Sequence, residues 1–208
     1  ARDAEFQAIM PVRGKILNCL KADINKILNS EIITNLVRIL GCGVEMKIKG
    51  KSFSEFNLQN LKFSKIIICT DADFDGYQIR TLILAMIYSL MPTLIDEKKV
   101  FIAESPLYEI TNKDKTYFAY TDREKTEIVS KLEGKVNVQR SKGLGENEPD
   151  MMKLTTMDPE TRKLLLITPE AADVTFQYFD VLLGNNLQGR KELISEKGNY
   201  YLELADIS

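Results

Sequence analysis

Three carboxylates stand at alternate positions in the segment T-D-A-D-F-D-G: Asp71, Asp73 and Asp75. On an extended backbone, alternation turns such side chains to one side. Ionised carboxylates held that close repel one another, and a divalent cation relieves the repulsion. The donors are all oxygen and the chain contains no histidine, which favours Mg²⁺ over Zn²⁺. The competing reading is solvated turn acids plus a helix cap, with Asp75 placed to cap a helix that begins after Gly76.

The elements that must position these acids are legible. Residues 65–70 (KIIICT) form a continuous apolar, β-branched run, the mark of a strand buried on both faces, with Cys69 as a small core residue. Residues 71–76 are a polar turn at its carboxyl end, where open parallel sheets bind ligands. Residues 77–90 carry a helical stripe that stops near Pro92, and 99–103 (KVFIA) are apolar again. A strand–turn–helix–strand unit implies a parallel sheet.

Upstream, residues 8–21 read as a basic turn around Arg13, Gly14 and Lys15, and 23–40 as one or two helices ending at Gly41. Downstream, 107–110 and 116–120 read as paired strands around a turn at 112–115. Thr121 and Glu124 form a capping box for a helix over 122–132, and 135–140 alternate as a strand. After the loop 141–149 (SKGLGENEP) the remainder reads as helical. Asp158-Pro159 and Thr168-Pro169 are start signals, the second helix runs to Leu183, and a last helix covers 187–196. A boundary near Pro149 divides an α/β domain, residues 1–148, from a helical tail, 149–208.

Composition narrows the chemistry. The 208 residues carry 28 Lys+Arg against 30 Asp+Glu, so any nucleic-acid site must be a local patch. The absence of histidine removes Ser-His-Asp and Cys-His nucleophilic mechanisms and His-ligated zinc. The three cysteines, Cys19, Cys42 and Cys69, are too dispersed for a metal site or a disulfide framework, and the chain reads as cytosolic. No apolar run is long enough to span a membrane, and the first ten residues are no signal peptide.

Two other D-x-D-x-D readings can be tested. An EF-hand requires Glu at loop position twelve, where Leu82 stands, and a helix rather than a strand before the loop. A haloacid-dehalogenase-like phosphatase would use Asp71 as nucleophile and Asp73 as acid. It expects a small residue where Asp75 stands and a later acidic pair that has no assignable counterpart; it is kept as the alternative.

The segment 67–84 (IICTDADFDGYQIRTLIL) resembles the D-x-D-x-D-G segment of the Toprim fold in the B subunits of bacterial type IIA topoisomerases. Further segments resemble the same family in the same order: 7–22 (QAIMPVRGKILNCLKA), 102–108 (IAESPLY, with Ser105 for a proline) and 139–159 (QRSKGLGENEPDMMKLTTMDP). The ending, 190–208, resembles the C-terminus of such subunits.

The resemblance implies an α/β Toprim (Rossmann-like) parallel sheet with flanking helices, followed by the helical tail. It implies Mg²⁺ at Asp71 and Asp73, with Asp75 as a supporting or capping acid, in a two-metal site of the complete enzyme. Arg13, Lys15 and Asn18 would lie at the DNA backbone, and Lys142 would share that role. Gln78 stands where the family often has histidine, so it can hydrogen-bond DNA but carries no charge there. The partners implied are double-stranded DNA and an A subunit that supplies a tyrosine nucleophile, in an A2B2 assembly of the bacterial cytoplasm. The family's E-G-D-S-A segment, which carries the catalytic Glu, does not occur in the chain, and ATP would bind only through domains upstream. The expectation is therefore a fragment inactive alone. Either it supports ATP-dependent DNA cleavage, passage and religation, or it serves only as a non-catalytic docking module for DNA and the A subunit.

Overall fold

In a computed structural model of the chain, the described residues are 2–46, 54–141, 143–145, 148–170 and 172–204. Two short helices lead, α1 (Ile24–Asn29) and α2 (Glu31–Leu40). Asp23 caps α1 through the amides of Asn25 and Lys26. Gly41 closes α2 in the left-handed conformation, φ 80°, with its N–H on the Val37 carbonyl.

The central unit is β1 (Ile66–Ile68), α3 (Phe74–Leu90), a short helix α4 (Thr93–Asp96) and β2 (Val100–Ala103). β1 and β2 pair in parallel, Ile66 opposite Val100 and Ile68 opposite Ile102. A helical crossover between parallel strands is what the apolar run, stripe and second run required. α3 buries Leu82, Ala85, Met86, Ile87 and Leu90. These join Ile33, Val37 and Leu40 of α2 and Val100 and Ile102 of β2 in one apolar core. α3 begins three residues before the expected start, because Asp73 rather than Asp75 is its cap.

A second sheet follows: β3 (Tyr108–Asn112), β4 (Lys115–Ala119) and, after α5 (Asp122–Val129), β5 (Val136–Arg140). The order is β4-β3-β5, antiparallel throughout. The capping box forms at α5, with Glu124 N–H donating to Thr121 Oγ1 at 3.0 Å. The return bond runs from Tyr120 N–H to Glu124 Oε2 at 2.6 Å, one residue earlier than the usual partner.

The stretch after residue 149 departs from the helical expectation. α6 (Pro149–Met152) passes into a π-helical turn, Lys153–Met157, closed by Asp158 N–H on the Lys153 carbonyl at 2.8 Å. Asp158-Pro159 begins a turn rather than a helix. Residues Leu164–Leu166 then form β6, antiparallel to β2 with Phe101 opposite Leu166. Three consecutive leucines suit a helix by propensity, but the free edge of β2 offers a ladder that tertiary context favours. The first sheet is thus mixed, in the order β1-β2-β6, and the chain after Pro149 contributes to it.

Two helices complete the chain, α7 (Ala172–Leu183) and α8 (Leu187–Lys197). Phe179 of α7 packs on Tyr88 of α3 with ring centroids 5.2 Å apart. Arg190 of α8 donates to the carbonyls of Val181 and Gly184, each at 2.9 Å, satisfying the open end of α7. Among the described residues, no helix is long and apolar enough to cross a membrane.

Candidate nucleic-acid and metal site

The strand β1 delivers its carboxyl end, Cys69, Thr70 and Asp71, to the amino end of α3. Cys69 is exposed there rather than buried in the core, because period-two alternation buries Ile68 and Thr70 and turns the residue between them outward. Desolvation by the surrounding chain still pushes the thiol pKa up, and the nearby Arg162 and Arg80 oppose that shift.

The three acids have three different partners. Asp71 Oδ1 accepts the N–H of Leu144 at 2.7 Å, across 73 residues of sequence. Asp73 is the N-cap of α3, its Oδ1 accepting the N–H of Gly76 at 2.7 Å. Asp75 lies in the first helical turn and pairs with Lys15 Nζ at 2.7 Å. The helix therefore starts before the alternation of the D-x-D-x-D pattern is complete. That start turns Asp75, an expected metal carboxylate, to the basic turn. Among the described residues, no three His, Cys, Asp or Glu side chains converge as a metal cage.

Asp71 and Asp73 remain as an all-oxygen pair. That donor set fits Mg²⁺, which is commonly held by one or two carboxylates with waters and phosphate oxygens completing its shell. Gly76 makes the arrangement possible, since a Cβ there would collide with the Asp71 backbone carbonyl.

The basic turn lies beside this loop through the Lys15–Asp75 pair. Gly14 adopts φ 76° with open space around it, and Arg13 is exposed. Asn18, expected at DNA, spends its side chain inside the fold. Its Nδ2 donates to the Leu183 carbonyl at 2.8 Å, and its Oδ1 accepts the N–H of Leu20 at 3.0 Å. Gln78 is exposed on the first turns of α3. Lys142 lies outside the described residues.

Several residues of the site escaped the sequence reading. Arg80 reaches back from α3 to Thr70 Oγ1, with Nε at 3.3 Å and a terminal nitrogen at 3.2 Å, and its guanidinium lies 5.2 Å from the Tyr77 ring centroid. The signal was a cation in an otherwise apolar helical run. Ser105, the residue in place of a proline, donates to the Thr70 carbonyl at 3.4 Å, so that departure helps hold the strand end. Gln7 Nε2 donates to the Met157 carbonyl at 2.6 Å and ties the N-terminal segment to the π-helical turn. Leu144 is invisible to motif reasoning because its backbone makes the contact.

A sequence profile of the Toprim domain matches residues 1–105. The chain belongs to the Toprim family. A second profile, described as the DNA gyrase B subunit carboxyl terminus, matches residues 133–195 of this Toprim chain. Curated relatives, each named as the B subunit of DNA gyrase, are similar over nearly its whole length. The Thermotoga maritima protein is 43% identical over 195 residues, covering 93% of this chain and 29% of the relative. That of Clostridium acetobutylicum is 42% identical over 206 residues, covering 98% and 31%. That of Staphylococcus aureus is 39% identical over 201 residues, covering 96% and 30%. The Toprim chain thus spans about 30% of the length of these relatives.

Proposed function

We propose that the chain is the Toprim and carboxyl-terminal part of a type IIA topoisomerase B subunit, of the gyrase or topoisomerase IV kind. In the whole enzyme it supports ATP-dependent cleavage, passage and religation of double-stranded DNA. The observation that carries this reading is the meeting of two opposite chemistries at one strand end. The carboxylates Asp71 and Asp73 suit a divalent cation, and the Lys15–Asp75 pair brings a basic turn beside them. A site that holds both cation and phosphate needs both.

Mg²⁺, when bound, would offset charge on a phosphate and on the departing sugar oxygen. The residues of the chain do the holding. Asp71 is fixed at Oδ1 by Leu144, and Asp73 is fixed by the first turn of α3. Arg13 and Lys15 provide positive charge for the DNA backbone. Gln78, exposed on the first turns of α3, offers an uncharged hydrogen bond. The tyrosine nucleophile would come from an A subunit, ATP hydrolysis from domains beyond this chain, and the assembly would be A2B2 in the bacterial cytoplasm.

The surface for the A subunit is proposed on the tail. Phe176, Leu187 and Ile194 are each about 60% exposed, more apolar area than a solvated helix pair needs.

The test is calorimetric titration of Mg²⁺ or Mn²⁺ into the chain and into its Asp71→Ala and Asp73→Ala variants. Both substitutions are expected to abolish the binding heat. Equal binding by all three proteins would remove the assignment.

A further inference from the structure

Resting on the reading of Asp71 as a cation ligand, we infer that loop residues Gly143, Leu144 and Gly145 form a latch. It orients the Asp71 carboxylate through a backbone N–H and makes Leu144 a positioning residue of the metal site.

The latch joins parts that are remote in sequence and belong to different sheets. Asp71 follows β1 of the first sheet, and Leu144 follows β5 of the second. Their bond, Leu144 N–H to Asp71 Oδ1 at 2.7 Å, is charge-assisted and short for an amide donor. The loop has firm footing. Ser141 N–H donates to the Leu107 carbonyl at 2.9 Å, and Leu107 N–H donates to the Ala119 carbonyl at 2.9 Å. The base of the loop is thus tied to the antiparallel sheet.

Glycine has a specific use in this arrangement. A Cβ at Gly143 would lie 3.4 to 3.5 Å from Asp71 Cγ and both of its carboxyl oxygens, in ordinary van der Waals contact, so the loop backbone packs closely over the group. Gly76 acts on the opposite part of the same residue, where a Cβ would strike the Asp71 carbonyl. Asp71 is therefore clasped between two glycine backbones, with Oδ1 engaged by Leu144. A carboxylate so fixed has a defined direction for Oδ2 and loses little freedom when it takes a ligand. Gly145 provides an internal control, since nothing lies within 4 Å of a Cβ built there.

Backbone donors that orient a metal carboxylate matter for affinity: loss of such a partner typically weakens metal binding about 10-fold or more. A loop that only supported the fold would change stability and leave the affinity of the folded protein alone.

The experiment follows free Mn²⁺ by electron paramagnetic resonance during titration of the chain, and amide hydrogen exchange at Leu144 without metal. Leu144→Pro is expected to bind Mn²⁺ about 10-fold more weakly. Gly145→Ala should match the wild type, and Asp71→Asn should lose binding. Leu144 exchange should be slow in the wild type and in Asp71→Asn, which keeps an acceptor oxygen, and fast in Asp71→Ala. Should Leu144→Pro fail to fold, the exchange measurement decides. Mn²⁺ binding that a folded Leu144→Pro leaves unchanged, or Leu144 exchange indifferent to Asp71→Ala, overturns the latch alone. No Mn²⁺ binding by the wild type overturns the metal reading, and with it any role of the latch for a cation.

Discussion

Lys15 and Asp75 meet at 2.7 Å, with side chains about half and three-quarters exposed, so the strand-end loop and the basic turn are joined by an ion pair in contact with solvent. Such a pair adds at most about 1 kcal/mol to stability, because water screens it. Its effect is on charge instead. Asp75 neutralises the lysine that the proposed function assigns to a phosphate, and it does so reversibly, since a phosphate oxygen can replace the carboxylate.

The two partners should therefore have opposite effects on DNA. Lys15→Met should weaken duplex binding alike for all sequences and lower the salt slope by about 1. Asp75→Asn should strengthen binding by freeing the lysine. Fluorescence anisotropy of a labelled duplex across a salt series, with the proposed A subunit present, reads both. Weaker binding by Asp75→Asn would mean that the acid itself contacts the DNA assembly through a cation.

Asn18 should separate from Lys15 in the same assay. Its two hydrogen bonds hold the end of α7 and the turn before α1, so Asn18→Ala should cost about 1–2 kcal/mol in urea unfolding. The salt slope of DNA binding should stay at the wild-type value. A reduced slope with unchanged stability would return Asn18 to the DNA.

Glycines around the site should rank by what their Cβ would meet. Gly145→Ala should change stability by less than about 0.5 kcal/mol. Gly14→Ala has space but a φ of 76°, and should cost roughly 1–2 kcal/mol. Gly76→Ala drives a methyl into the Asp71 carbonyl and should cost about 3 kcal/mol or more. Chemical denaturation of the three variants gives the order directly.

Thiol chemistry should report the orientation of the strand end. Burial pushes the Cys19 thiol pKa up to about 11 and raises that of Cys42 as well, and both side chains are enclosed. Cys69 is exposed. Iodoacetamide at neutral pH should label Cys69 first, with Cys19 and Cys42 reacting only as the chain unfolds. Peptide mass spectrometry resolves the three sites, and early labelling of Cys19 would contradict the packing of the basic turn.

At α5, hydrogen bonds from Lys125 and then Tyr108 lower the Asp122 pKa below its ordinary 3.8, and the bond to Asp122 raises Lys125 above 10.5. The Asp122 contribution is present above its unfolded value and fades as pH falls through the lowered one. The Lys125 contribution is present below 10.5 and fades as pH rises through the raised one. Lys125→Met should move the Asp122 carboxyl pKa back up in a carbon-detected NMR titration. Tyr108→Phe should move it up by less. No movement in Lys125→Met would show that the contact does not persist in solution.

The sequence by itself determined β1, α3 and β2, because an apolar β-branched run, a helical stripe and a second apolar run leave one economical arrangement. It also determined that the strand end carries carboxylates, and the motif order pointed to the Toprim family. Local patterns do not encode which neighbour a residue will meet. Thus the run of leucines at 164–166 took the open edge of β2 instead of helix, since strand pairing there satisfies backbone groups that β2 would otherwise leave unpaired. The same limit applied within the motif. Its alternation set three acids on one side, but helix α3 starts at Phe74, and that start divided them among a backbone amide, a helix cap and a lysine. Packing also turned Asn18 toward Leu183 and brought Leu144 to Asp71 across 73 residues. Contacts made by a backbone N–H leave no mark on residue type, so only the tertiary structure could decide them.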